Sequence, residues 1–231
     1  MGGGGFSMEP ENAALDRYVL RHARRSDPRV CFVATATGDA AGYIEKFYEA
    51  FAKLACRPTH LPLFARTPDV TALLAEQDVI YVGGGNTKSM LAVWRDWGLP
   101  TVLRRAWRSG TVLAGISAGA ICWFDAGITD SWADRLAPLP CLGLLPGTCC
   151  PHYDGEAERR PALQRLVAAG KVPTALALDD YAAAHFTGRK LLRVVTSRAG
   201  AGAYRVTRAG RRAVETPLPV THLPVAHRAD G

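Results

Sequence analysis

Apolar positions along this chain fall into short runs that alternate between two periods. Arg29–Ala34, Val79–Val82 and the segment from Val112 into Gly115 read as strands, the last two apolar throughout and so buried on both faces. Leu15–Arg24 and Ala41–Leu54 read as helices, the second with Tyr43, Phe47, Ala50 and Phe51 near one face. Thr59–Phe64 is a further strand, and Val70–Glu76 a short helix opened by Thr67-Pro68-Asp69. Two more helices are split at Gly98-Leu99-Pro100, the first over Lys88–Trp97. This alternation predicts an α/β fold, a doubly wound and mostly parallel sheet flanked by helices. The last third turns strand-rich: Thr174–Leu178, Ala182–Phe186, Leu191–Thr196, Ala203–Thr207 and Arg212–Glu215 are short runs separated by glycine turns, predicting extra C-terminal strands. One domain over 1–216 and a flexible tail over 217–231 follow, with His222 and His227 in the tail and outside the chemistry.

Composition narrows the class without choosing a function. The chain has 231 residues and is 48% apolar, enough to bury one full core. No apolar run approaches the roughly eighteen residues a membrane helix needs, and no secretory pattern opens the chain. Phe6 stands where a myristoylation signal wants Ser or Thr. A cytoplasmic protein is the expectation, with no membrane partner. The formal charge of +7 raises nucleic acid as a partner. The arginines are scattered, however, and no nucleic-acid motif accompanies them, so a solvated basic face is the reading. Six cysteines lack C-x-x-C spacing and are read as reduced, with neither a metal nor a cofactor implied.

The chemistry concentrates in two loops. Gly115-Ile116-Ser117-Ala118-Gly119 follows a buried strand and passes at once into an Ala/Gly-rich helix start, the pattern of a nucleophile elbow. Small neighbours admit a strained serine, and the next N–H, that of Ala118, is free to face an oxyanion. Taken alone, the motif fits an N-capping serine equally well. The second loop, Gly83-Gly84-Gly85-Asn86-Thr87, also follows a strand. It lacks both the G-x-G-x-x-G spacing and a P-loop ending, because its lysine arrives only at Lys88, so an oxyanion loop suits it better than a phosphate site.

Together the two loops resemble the peptidase E family, the aspartyl dipeptidases, which have a class I glutamine amidotransferase-like fold. The resemblance extends to Gly2-Gly3-Gly4-Gly5-Phe6-Ser7 and to Cys150-Pro151-His152-Tyr153-Asp154-Gly155-Glu156. It implies a serine peptidase in which Ser117 is the nucleophile, His152 the base and Asp180 its orienter, with Asp179 beside it. The oxyanion hole would use Gly84, Gly85 and Ala118, and Asn86 would lie at the substrate. The implied substrate is a small peptide, with N-terminal aspartyl dipeptides as the family's class; Arg159 or Arg160 would grip the acidic side chain unless they only pair with Glu156 and Glu158. A second alignment puts Tyr153 in the catalytic column, His185 is the reserve base, and His152 also reads as a helix cap. A non-catalytic binding homologue that keeps the pocket is the alternative function. A homodimer is the expected assembly. In the family the loop resembling Gly2–Gly5 ends a first strand, so with only Met1 ahead of it a central strand is expected to be missing or replaced by a shorter edge.

Overall fold

The computed structural model describes residues 1–224. Four parallel strands form the first sheet: β1 (Arg29–Val33), β2 (Arg57–His60), β3 (Val79–Val82) and β4 (Val112–Gly115), in the order β2-β1-β3-β4. Helix α1 (Ala14–Leu20) precedes β1, and the helices between the strands are α2 (Ala41–Phe51), α3 (Val70–Ala75), α4 (Thr87–Asp96) and α5 (Leu99–Arg108). All four residues of β3 are buried, as an unbroken apolar run in a covered sheet requires. Gly98, with φ +66°, separates α4 from α5 in a left-handed conformation that glycine adopts at little cost, and Pro100 sits in the first turn of α5.

A short helix α6 (Ala118–Ile121) leads into a six-stranded mixed sheet. Its members are β5 (Phe124–Thr129), β6 (Ala137–Pro140), β7 (Leu145–Cys150), β8 (Thr174–Leu178), β11 (Ala203–Ala209) and β12 (Arg212–Pro217), ordered β12-β11-β8-β7-β5-β6. Helix α7 (Arg159–Ala168) connects β7 to β8, which run parallel. Three strands, β9 (Ala182–Thr187), β10 (Lys190–Thr196) and β13 (Val220–His222), form a third sheet in the order β13-β10-β9. The α/β class, the mostly parallel first sheet and the extra C-terminal strands agree with the sequence pattern.

Two expectations change. Residues 217–224 are not a tail: β13 pairs in parallel with β10, and Leu223 is buried with its N–H on the Thr196 carbonyl. Residues 225–231, with His227, lie outside the described residues. The strand expected over Thr59–Phe64 starts earlier and ends at His60, as β2.

The N-terminal run is tied into the core. Phe6 is buried and packs against Phe32, Tyr43, Phe47, Phe51 and Tyr81 at centroid separations of 5.5–5.7 Å. Such aromatic pairs contribute about 0.5–1.5 kcal/mol each beyond their burial. Asp16, on α1, is buried and accepts a hydrogen bond from Tyr81 Oη at 2.9 Å. A Cβ on Gly5 would lie 3.0 Å from both oxygens, so the run is held where a side chain has little room.

Candidate active site

Ser117 follows β4 with φ 55° and ψ −113°, a conformation that L side chains rarely adopt. The surrounding glycines explain how it is tolerated. A Cβ on Gly115 would overlap the Gly119 carbonyl, and one on Gly119 would overlap the Val82 carbonyl. Strand β4, the turn and α6 can approach this closely only without side chains. The Ser117 carbonyl accepts the N–H groups of Ala120 and Ile121, starting α6. The N–H of Ala118 opens that helix, so no carbonyl of its own helix reaches it.

The triple-glycine loop passes directly by the serine. A Cβ on Gly84 would fall 3.3 Å from Ser117 Cβ and 3.9 Å from its Oγ. Gly85 has φ +133° and lies so close to Ala36 that any side chain would overlap its carbonyl. The Gly84 N–H, expected in the oxyanion hole, instead donates to Tyr43 Oη at 3.2 Å. Of the three donors named from sequence, Gly85 and Ala118 form no such internal bond among the described residues. Asn86 is an N-cap: its Oδ1 accepts the Ser89 N–H at 2.9 Å, while Nδ2 donates to the Ser131 carbonyl at 3.1 Å. Its side chain anchors α4 and the segment after β5.

His152 and Asp180 come from the carboxyl ends of neighbouring parallel strands, β7 and β8. His152 Nδ1 lies 2.6 Å from Asp180 Oδ1, and the two side chains are 15% and 11% exposed. The Asp180 N–H donates to Asp154 Oδ1 at 2.8 Å, so a third residue fixes the turn. Gly3 and Gly155 pack so closely on the Asp180 carboxylate that a Cβ on either would overlap it. Asp179 turns the other way and accepts the Gly202 N–H at 2.9 Å, with its carboxyl pushed up to about 6, first by burial and then by Asp154. Tyr153 also points away: its ring is buried and its hydroxyl donates to Glu215 Oε2 at 2.6 Å. The histidine, not the tyrosine, therefore faces Asp180.

Ser117 and the His152–Asp180 pair lie on the two flanks of the N-terminal run. The Met1 carbonyl accepts the Ser117 N–H at 3.1 Å, the Gly3 carbonyl accepts the Tyr181 N–H at 3.1 Å, and Gly3 covers Asp180. Ser117 Oγ itself makes no hydrogen bond to a histidine among the described residues. Catalytic contacts are often loose before substrate arrives. The reserve base is elsewhere: His185 Nδ1 pairs with Tyr18 Oη at 2.7 Å, and its ring packs on His22 with centroids 4.4 Å apart. Burial, then His22, Arg193 and Arg21, hold its pKa below the usual value.

Both arginines named from sequence have internal partners. Arg159 is buried, with Nε on Glu156 at 2.6 Å and Nη1 on the Ile128 carbonyl at 2.8 Å. Arg160 lies over the rings of Tyr153 and Tyr204 and faces Glu215 at 3.6 Å. The residues that sequence reasoning missed are Tyr43, Asp154 and Met8, whose Sδ accepts the Gly4 N–H at 3.1 Å. Each acts across long chain separations or through a backbone group, and no local pattern marks it.

A strained serine at a strand end, a second glycine loop against it and a His152–Asp180 pair at the ends of β7 and β8 are set in an α/β fold. A model of peptidase family S51 matches residues 1–194. The chain is 53% identical over 224 residues to YgaJ, an uncharacterized peptidase of Bacillus subtilis (strain 168), covering 96% of this chain and 97% of that one. An uncharacterized peptidase of Listeria innocua serovar 6a is 27% identical over 148 residues, or 60% of this chain and 70% of its own length. The crystal structure of a peptidase from an acI-B1 actinobacterium superposes with a TM-score of 0.65 at 18% identity, covering 95% of this chain and 92% of that one. The chain belongs to peptidase family S51, the peptidase E family, and is a hydrolase of the peptidase type. Among the described residues no helix is long and apolar enough to cross a membrane.

Proposed function

We propose that the chain is a serine peptidase acting on small peptides through Ser117, His152 and Asp180. The observation that carries this reading is the 2.6 Å contact between His152 Nδ1 and Asp180 Oδ1, across the N-terminal run from a serine in a strained elbow. Asp180 holds the Nδ1–H tautomer, which leaves Nε2 to take the proton from Ser117 Oγ as it attacks the peptide carbonyl. The same proton returns to the leaving amine. Charge developing on the carbonyl oxygen is met by the N–H groups of Ala118 and Gly85, dipoles already aimed before the reaction begins. A water then repeats the cycle on the acyl-enzyme.

The reading names no side-chain preference. An aspartyl preference is what the family resemblance implies, and Arg159 and Arg160, the candidate cations for it, both have internal partners. A panel of acidic and neutral dipeptides, assayed with the wild type and Ser117→Ala, tests the proposal. Turnover by the wild type that Ser117→Ala abolishes is the expected result. Turnover that survives the substitution would remove Ser117 from the mechanism.

A further inference from the structure

Asp180 is followed by a residue in a conformation that its side chain disfavours. Tyr181 has φ +66°, left-handed backbone that a bulky residue keeps only where its surroundings hold it there. Its N–H donates to the Gly3 carbonyl at 3.1 Å, and its carbonyl accepts the Ser197 N–H at 3.0 Å. The Gly4 backbone lies against it so closely that a Cβ there would come within 3.1 Å of the Tyr181 Cα. The half-buried ring carries the guanidinium of Arg198, whose central carbon stands 3.7 Å from the ring centroid. A cation this near an aromatic face is attracted by the ring quadrupole.

The guanidinium is itself anchored. Arg198 Nε donates to Glu9 Oε1 at 2.9 Å, and Glu9 Oε2 accepts the Ser197 hydroxyl at 2.5 Å. The Glu9 side chain is 2% exposed, a buried charge that needs its cation, whereas Arg198 is 52% exposed and reaches inward over Tyr181. Glu9 closes the N-terminal run, with its N–H on the Gly5 carbonyl at 2.8 Å. Arg198 stands just past β10, where its N–H donates to Thr196 Oγ1 at 3.1 Å. Glu9, Arg198 and Tyr181 therefore tie three segments together around the peptide that follows Asp180. The Asp180 N–H is fixed on its other side by Asp154. Relaxation of Tyr181 to an ordinary φ would rotate the Asp180–Tyr181 peptide and carry the carboxylate away from His152.

We propose that Arg198 is a positioning residue for the His152–Asp180 pair: anchored by Glu9, it pins Tyr181 in the left-handed conformation that aims the Asp180 carboxylate at His152 Nδ1. Arg198 acts through Tyr181 and not on the substrate. Its effect on turnover rests on the reading of His152 and Asp180 as base and orienter. Its effect on the contact between them does not.

The test is rescue at a second position. Arg198→Ala frees a strained tyrosine, so kcat on a dipeptide should fall at least about thirtyfold with KM within about threefold. Adding Tyr181→Gly should recover at least about tenfold of that loss, because glycine adopts positive φ without a clamp. An arginine that only balanced Glu9 would not be rescued in this way. Where Arg198→Ala does not fold, the same pair of variants is made with Glu9→Gln, which removes the unpaired buried charge. Crystal structures give a readout independent of turnover: the His152 Nδ1 to Asp180 Oδ1 separation should open beyond about 3.5 Å in Arg198→Ala and close again with Tyr181→Gly. A contact that stays at its wild-type length in Arg198→Ala, or a loss of kcat that Tyr181→Gly does not recover, would overturn the proposal. If the wild type turns over no dipeptide, that result counts against the peptidase mechanism, and the crystal separation alone decides for or against the clamp.

Discussion

Met1 and Ser117 share a backbone hydrogen bond, the serine N–H to the methionine carbonyl at 3.1 Å, that locks the strained elbow to the start of the chain. Two residues further on, Gly3 packs on Asp180. The N-terminal glycine run therefore touches the elbow through Met1 and the His152–Asp180 pair through Gly3. Its glycines serve as thinness: a side chain at Gly3 would displace the carboxylate that orients His152.

The adjacent aspartates should separate cleanly on substitution. Asp180→Asn places an amide against His152 Nδ1 and favours the wrong tautomer, so kcat should fall by about 10³–10⁴ with little change in KM. Asp179 binds Gly202 and faces away from the histidine, so Asp179→Asn should keep kcat within about tenfold. Steady-state kinetics on one dipeptide decides it, and equal losses in both variants would contradict the assignment.

The Tyr43 hydroxyl is the acceptor for Gly84 N–H. Tyr43→Phe leaves that donor unpaired, at a cost of about 1–3 kcal/mol in stability. With Gly85 and Ala118 forming the oxyanion hole, kcat should change by less than about tenfold, far below the 10²–10³ typical of a lost oxyanion donor. Thermal unfolding and kinetics on the same variant check both halves. A loss of two orders of magnitude in kcat would place Tyr43 and Gly84 in the catalytic machinery.

The glycine loops and the elbow were legible because each is local: a strand ends, small residues follow, and the reason lies within a few positions. The family resemblance favours Asp180 over its neighbour Asp179, and the reason is not local: Asp180 meets His152 while Asp179 accepts the Gly202 N–H just ahead of β11. Strands β5, β6 and β7 escaped notice because Pro138, Pro140, Pro146, Gly127 and Gly147 interrupt their apolar runs. The fold accommodates them locally. β6 is an edge strand, where a missing N–H is tolerated, and a register shift between β5 and β7 absorbs Pro146 and Gly147. Arg159 takes Glu156, the pairing the sequence itself offers as the alternative, while its second partner, the Ile128 carbonyl, and the Glu215 that faces Arg160 are far away in sequence.

Buried Asp16 gives the fold a pH dependence of known sign. Burial pushes its carboxyl up to about 7 from an ordinary 3.8, against the opposing hydrogen bond from Tyr81. The folded state thus favours the protonated form. That contribution is complete below the ordinary value and is lost as pH rises from about 4 to about 7. Asp16→Asn keeps an acceptor for Tyr81 without the charge. Its Tm gain over the wild type should be larger at pH 8 than at pH 5, and a gain that is the same at both values would contradict the burial argument.

The central claim is that Ser117 is a nucleophile activated by His152. The direct measurement is covalent labelling by a fluorophosphonate, followed by mass mapping of the modified peptide. A single adduct on Ser117, absent in Ser117→Ala and at least a hundredfold slower in His152→Ala, is the predicted result. Folded wild-type protein that stays unlabelled, or an adduct on another residue, would contradict it and favour a binding homologue that keeps the pocket without the chemistry.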